Sequence, residues 1–322
     1  MLDQIRQPVQ EHLDRFNALM RETMACDNTY INAITGHILA QPGKQMRPLL
    51  VLLAAGASGG VAPRTHVGAA LVEMMHIASL VHDDVVDEAF LRRGQLSVNA
   101  LWRSRVAVLY GDFLMSRAFS LTASHEAHDM GDEIIRALGE LCKGELVQQE
   151  HLGKMDMTEE VYFNIIRSKT ASLLAACGRI GALSAGAPAE VVQRMGQFGE
   201  CIGMAFQVKD DMLDYDPAVD TGKPACADLR ERKITLPLLA LLARSGAIQR
   251  KTIIRQVADI RNVERNVERI RQQVLTSGAM EDARRTMEEF EQKAFEALGN
   301  CPSSPYTKPL HAYARYILER EK

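Results

Sequence analysis

Apolar residues recur at intervals of three and four along almost the whole chain, the spacing that lines one face of a helix. Segments near 2–22, 28–40, 45–58, 64–88, 97–123, 130–151, 158–185, 189–215, 230–244, 248–275, 280–298 and 305–320 carry this pattern. Turn chemistry separates them: Gln41-Pro42-Gly43, Ser58-Gly59-Gly60, Gly186-Ala187-Pro188, Asp216-Pro217, Ser277-Gly278 and Cys301-Pro302. No alternating pattern long enough for a useful strand interrupts the series. The segment 171–187 is apolar nearly all round, which predicts a helix inside a bundle, whereas 248–298 is rich in Arg and Glu and predicts an outer, solvated layer. The expected architecture is all-α, a single domain over residues 1–322 built from about a dozen helices.

Composition narrows the class. Hydrophobic residues make up 47% and charged residues 25% of 322 positions, a globular balance that excludes disordered and fibrous chains. A net charge of -3 supplies no basic field for nucleic acid. The six cysteines have no CxxC spacing, and the start MLDQIRQPVQEHLDRF is amphipathic and charged rather than a signal peptide. Reduced thiols in a cytoplasmic protein are therefore expected. The most apolar stretches, 49–57 and 171–187, are too short or carry an Arg, so at most transient membrane contact is expected.

The sharpest chemical feature is a repeated acidic motif. His82-Asp83-Asp84-Val85-Val86-Asp87 recurs in kind as Lys209-Asp210-Asp211-Met212-Leu213-Asp214. On a helix, i and i+4 share a face and i+1 lies beside them, so each motif gathers three carboxylates at one helix end. Such a cluster resists ionisation unless a cation relieves it. Hard oxygen ligands select Mg²⁺, which keeps several waters and bridges one or two carboxylates to a phosphate. One DDxxD among 41 acidic residues would read as a solvated helix end. Two copies, each closing a strongly apolar helix, point to a paired metal site. His76, Ser79, Asp83 and Asp87 form one helical stripe, and Gly203, Gln207, Asp210 or Asp211, and Asp214 form another. Two such stripes facing across a cavity would put metal and phosphate at one end and a greasy well at the other.

An anionic substrate also needs cations. Lys44 and Arg47 stand where a helix begins, adding side-chain charge to its positive dipole end. Arg92 and Arg93 follow the first acidic motif, and guanidinium forks suit phosphate. Lys169-Thr170 interrupts an apolar helix, where a Lys is costly unless paired. Lys223 and Lys233 flank the stretch after the second motif. Singly, each could be a surface charge, and His76 alone would read as a buried core histidine. Together with the acidic motifs they read as phosphate ligands.

In order, GKQMRP at 43–48, HDDVVDE at 82–88, RRG at 92–94, GDF at 111–113, GE at 144–145 and KT at 169–170 lead to FQVKDDMLDY at 206–215. GKP at 222–224, DL at 228–229 and KITLPL at 233–238 complete the series. Over nearly its whole length the chain resembles the trans-isoprenyl diphosphate synthases, and within them the long-chain, octaprenyl-like synthases. The resemblance implies the isoprenoid synthase fold, a helical bundle around a deep central cavity. It implies that Asp83, Asp84, Asp87, Asp210, Asp211 and Asp214 hold Mg²⁺, three ions when the allylic diphosphate is bound. Arg92, Lys169, Thr170, Gln207, Lys223 and Lys233 would contact that diphosphate, with Lys169 also catalytic. Lys44, Arg47, His76 and Arg93 would hold isopentenyl diphosphate, and the protein would be a homodimer. The sequence departs from many relatives at Ala225-Cys226-Ala227-Asp228, which leaves one Asp after the Gly-Lys pair, and at Lys209.

The implied activity is elongation of an allylic diphosphate, with farnesyl diphosphate as primer, by isopentenyl diphosphate. No Ser-His-Asp or Cys-His arrangement competes with that reading. Ala78 and Ser79 lie one turn before Asp83, where family members with aromatics make short products. Small residues there imply a long product, heptaprenyl to nonaprenyl and octaprenyl by expectation, for a quinone side chain. Met74, Met75, Met115 and Phe119 are candidates for the cavity floor. The rival readings are a short-chain geranylgeranyl or farnesyl synthase and a non-catalytic partner subunit, which would be expected to have lost acidic ligands. A terpene cyclase would lack the GKxxRP motif, and a carboxylate-bundle metal store would need Glu-x-x-His pairs.

Overall fold

The computed structural model describes residues 1–40, 43–92, 94–216, 226–260, 263–299 and 304–319. Arg93, Lys223 and the turns at 41–42, 217 and 301–302 lie outside the described residues. The chain opens with α1 (Leu2–Arg6), a 3₁₀ turn, α2 (Gln10–Met24), α3 (Thr29–Leu39), α4 (Met46–Ala57) and α5 (Pro63–Val86). Two-residue strands β1 (Leu91–Arg92) and β2 (Gln95–Leu96) form an antiparallel hairpin with Leu91 opposite Leu96. Next come α6 (Val98–Trp102), α7 (Ser104–Ser124), α8 (His128–His151) and α9 (Glu159–Ile166). A π-helical turn, Arg167–Ala171, leads into α10 (Ser172–Ser184) and α11 (Ala189–Tyr215). The rest is α12 (Ala227–Arg230), α13 (Leu236–Arg244), α14 (Ala247–Ala258), α15 (Arg265–Thr276), α16 (Ala279–Leu298) and α17 (Thr307–Glu319).

The helical expectation holds, with breaks that single-period reading passed over. The segment 97–123 divides at Arg103, whose φ of 72° no helix tolerates. The segment 230–244 becomes helical in earnest only at Leu236, because Pro237 suits a first helical turn and lacks the N–H an interior position needs. The segment 248–275 is two helices, α14 and α15.

The chain forms two compact units, interleaved in sequence. The first comprises 1–138, 173–197 and 298–313; the second comprises 139–172, 198–297 and 314–322. In the first, α4 is the innermost element: every residue from Leu49 to Ala55 is 0% exposed. Helix α5 packs against it, with α2 and α7 running along α5. Helix α2 turns Leu13, Phe16, Met20 and Met24 inward at helical spacing. Helix α10 is apolar all round, as expected, and two of its glycines permit backbone contact. A Cβ at Gly178 would lie 2.1 Å from the Met195 carbonyl oxygen, and one at Gly181 would lie 2.5 Å from that of Val51.

The second unit has its own core. Met204, Val208, Met212 and Tyr215 of α11 meet Leu229, Leu238, Ile253, Val257, Val267, Ile270, Val274 and Ala283. The Arg- and Glu-rich region from 248 to 298 is therefore amphipathic and not merely an outer layer: one stripe of each helix closes this core while most of the charges face outward, the buried Arg271 excepted. Among the described residues no helix is long and apolar enough to cross a membrane.

One polar contact in the first unit makes stability depend on pH. His12 Nδ1 and His66 Nε2 lie 3.1 Å apart, so one ring must donate and the other accept. Burial, reinforced by the Arg15 charge and for His66 also by His12, pushes both imidazoles below their ordinary value. A base with a depressed folded pKa binds its proton more readily in the unfolded chain. Stability is then complete above the unfolded value, near 6.5, and is lost as pH falls through and below it. Thermal melts from pH 8 to pH 5 should show this fall, and His66→Asn should flatten it; an unchanged profile in the variant would exclude the pair as its source.

Candidate active site

Both acidic motifs sit at the C-terminal end of a long helix, the first on α5 and within the first unit, the second on α11 and within the second unit. Helix ends of this polarity carry partial negative charge, so three carboxylates there compound an already unfavourable field. In each motif the middle aspartate is turned inward and held by the protein. Asp84, 4% exposed, accepts from Arg92 Nε at 2.9 Å and from its Nη2. Asp211, 3% exposed, accepts from Tyr162 Oη at 2.6 Å and from Gln207 Nε2 at 2.9 Å. Burial, then the Asp228 charge, pushes the Asp211 carboxyl well above the usual range against these hydrogen bonds. Asp214 accepts from the backbone N–H groups of Ala227 and Asp228 at 2.8 and 3.2 Å, tying the end of α11 to the start of α12. Asp87 is exposed, and Asp83, Asp210 and Asp214 are half-buried.

In the first unit a cavity enclosing about 1100 Å³, its open mouth included, lies against α5. His76, Asp84 and Arg92 line it, with Glu73, Ile77, Leu80 and Val81 from the same helix and Phe16, Met20, Ile38 and Leu39 opposite. Arg47 joins this group, donating from Nη1 to His76 Nε2 over 2.9 Å. Guanidinium is always a donor, so His76 accepts at Nε2 and is neutral. Lys44 is exposed in the loop before α4, its carbonyl accepting from Arg6 Nη2 at 2.6 Å. Ala78 and Ser79 are buried and do not line this cavity; Ser79 Oγ donates to the His76 carbonyl at 2.8 Å. Of the floor candidates, Met74 and Met75 are buried, while Phe119 is 40% exposed.

The second unit assembles Lys169, Thr170, Gln207, Asp211, Asp228 and Lys233 around one pocket of about 670 Å³. Lys169 is paired as its apolar setting demanded, with Glu145 by an ion pair and with Gln148 Oε1 at 2.9 Å, both on α8. Thr170 Oγ1 donates to Gln207 Oε1 at 2.8 Å. Lys233 Nζ lies 2.6 Å from Glu231 and 3.9 Å from Asp228. The π-turn explains how Lys169 and Thr170 reach this wall, since one widened turn re-aims side chains that a regular helix would carry past it. Two glycines grip that turn. A Cβ at Gly144 would lie 2.7 Å from Ser168 Cβ and 2.9 Å from Lys169 Cγ; one at Gly203 would lie 2.5 Å from Ala171 Cα. Tyr162, Glu145 and Gln148 were not among the expected contributors. Tyr162 precedes Lys169 by seven residues, a helical repeat that the apolar company of 161–166 disguised as core.

Among the described residues no group of three or more His, Cys, Asp or Glu side chains forms a ready cation cage. Such an arrangement still suits Mg²⁺, which takes one or two carboxylates and fills its shell with water and phosphate oxygens. Hard oxygen donors at two electronegative helix ends fit that ion.

The pattern that defines polyprenyl synthetases matches residues 28–274. The chain belongs to the polyprenyl synthetase family. It is similar to the geranyl-diphosphate-specific all-trans-nonaprenyl-diphosphate synthase of Rhodobacter capsulatus, 35% identical over 97% of this chain and 96% of that protein. The octaprenyl diphosphate synthase of Escherichia coli K12 is 33% identical over 100% of this chain and 99% of its own. A polyprenyl synthase from Caulobacter crescentus CB15, complexed with calcium and isoprenyl diphosphate, superposes with a TM-score of 0.91 at 33% identity, covering 100% and 98% of the two chains. The all-α isoprenoid synthase fold is thereby established, and the enzyme is a trans-prenyltransferase of a Mg²⁺-dependent family that joins allylic diphosphates to isopentenyl diphosphate.

The grip on the π-turn can be checked directly. Gly203→Ala should cost about 1–3 kcal/mol in urea unfolding, because Ala171 backbone cannot yield cheaply. Stability equal to the parent would mean that the turn is free to move.

Proposed function

We propose that this synthase adds isopentenyl diphosphate repeatedly to an allylic primer, farnesyl diphosphate, and releases an all-trans product of heptaprenyl to nonaprenyl length. Octaprenyl is the expected length and a quinone side chain the expected use. The carrying observation is the pocket of the second unit, where Lys169, Lys233 and Thr170 stand beside Asp211 and Asp228, with Ile165 and Ile166 completing the wall. Cations for phosphate oxygens, carboxylates for a metal and apolar surface for a prenyl tail share one hollow. The product lengths named for the relatives support the long-chain reading over a short-chain one. Both acidic motifs are complete in the sequence, which argues against a non-catalytic subunit.

In this mechanism Asp83, Asp84 and Asp87, with Asp210, Asp211 and Asp214, would hold Mg²⁺, three ions with the allylic diphosphate bound. Mg²⁺ would supply charge stabilisation to the departing diphosphate. Lys169, Thr170, Gln207, Lys233, Arg92 and Lys223 bind the same diphosphate. Lys44, Arg47, His76 and Arg93 orient isopentenyl diphosphate. The allylic C–O bond breaks with its electron pair leaving on the diphosphate. The isopentenyl double bond then attacks the allylic carbon, a C–C bond forms, and proton loss to the departed diphosphate restores an alkene. Apolar walls keep water from the cation. The side chains do electrostatic and positioning work, with no covalent intermediate.

Incubation with farnesyl diphosphate, isopentenyl diphosphate and Mg²⁺, followed by chromatographic sizing, tests the activity and its length together. The parent should give a long product, Asp83→Ala and Asp210→Ala should each lower turnover by orders of magnitude, and Ser79→Phe should shorten the product. Near-normal rates in the Asp variants would remove these residues from the mechanism. If Leu80→Phe shortened the chain and Ser79→Phe did not, the well would lie against the first unit's cavity.

The protein should also act as a homodimer. Helix α7 exposes Val108, Leu109 and Phe119 at 40%, 59% and 40%, and positions 108 and 119 lie three turns apart on one stripe. Exposed large apolar stripes of this kind mark interfaces. Sedimentation should give twice the chain mass, and Leu109→Glu should weaken the dimer; a monomeric parent would refute this.

A further inference from the structure

We propose that Tyr162 is a positioning residue for the second acidic motif, holding Asp211 without cancelling its charge. The proposal rests on the reading that this motif binds a metal–diphosphate. The two motifs solve the same problem differently. Asp84 is answered by a guanidinium, so its negative charge is neutralised where it lies. Asp211 is answered by two neutral donors, the Tyr162 hydroxyl at 2.6 Å and the Gln207 amide at 2.9 Å. Neutral donors fix a carboxylate's orientation and leave its field for a cation nearby.

The arrangement also directs its neighbours. Gln207 turns its NH₂ toward Asp211 and its oxygen toward Thr170. Thr170 must then donate to Gln207, and it offers the pocket lone pairs rather than a proton. Tyr162 anchors the far end of this series. It is 3% exposed, and its ring is held against Phe163 at 5.3 Å between centroids, with Phe163 against Phe290 at 5.9 Å. A phenol fixed in this way has little freedom to seek another partner. Second-layer hydrogen bonds to ligating carboxylates are worth 10- to 100-fold in metal affinity by analogy with other metal sites.

The test is direct binding of Mn²⁺ to the full-length protein in the presence of inorganic pyrophosphate, read by electron paramagnetic resonance. Tyr162→Phe is compared with Phe163→Leu and Asp210→Ala. Tyr162→Phe should weaken Mn²⁺ binding about 10- to 100-fold and raise the Mg²⁺ concentration for half-maximal rate in parallel, leaving the KM for isopentenyl diphosphate unchanged. Phe163→Leu, which loosens the same packing but keeps the hydroxyl, should lower the melting temperature without changing Mn²⁺ affinity. Where Tyr162→Phe is less stable, the rise in melting temperature on adding Mn²⁺ and pyrophosphate reports the same affinity. If Tyr162→Phe binds Mn²⁺ like the parent while Asp210→Ala does not, Tyr162 is core filling and the proposal is overturned with the metal reading intact. If Asp210→Ala also binds like the parent, the metal reading itself falls.

Discussion

Carboxylates crowded onto the negative end of a helix dipole need compensation, and that need shapes both acidic motifs of this fold. Three aspartates close α5 and three close α11, each set at the helix end least able to bear them. The protein turns the middle member of each trio inward and holds it there. Arg92 answers Asp84, the Tyr162 hydroxyl and Gln207 answer Asp211, and backbone N–H groups answer Asp214. On the proposed reading, a divalent ion carrying a diphosphate adds its own positive charge at both helix ends.

The other half of the electrostatics is handled by geometry. Lys169 would be costly inside an apolar helix, yet the widened turn at 167–171 delivers it to a pocket wall and Glu145 holds it there. The turn stays in place because Gly144 and Gly203 let neighbouring backbone approach closely from α8 and α11. A cation with an internal counter-ion is preorganised for an anionic substrate, since little reorientation is needed when phosphate oxygens arrive. Arg47 and His76 stand in a similar relation in the first unit, where the neutral imidazole accepts from the guanidinium and steadies it.

Helical periodicity and two DDxxD repeats made the all-α class and the chemistry legible, because both depend on residue spacing within one element. Lys169, Thr170, Gln207 and Lys233 line one pocket. What spacing could not reveal are contacts between distant segments. Tyr162 and Asp211 are separated by 49 positions, and a tyrosine in an apolar run looks like packing. The π-turn was equally hidden, since the polar run Arg167-Ser168-Lys169-Thr170 interrupts the apolar pattern without any Gly or Pro to mark a change of helix type. Pro237 was a readable signal for the start of α13 that the longer apolar run obscured. The charged C-terminal third hid a buried stripe for the same reason: counting Arg and Glu overlooks the spacing of Ile253, Val257, Ile270 and Val274.

The most direct measurement is anomalous diffraction from crystals grown with Mn²⁺ and inorganic pyrophosphate. The account predicts ions coordinated by carboxylates of both motifs, with Asp84 still on Arg92 and pyrophosphate oxygens completing the metal shells. Ions bound away from either motif, or pyrophosphate held without any ion, would contradict it.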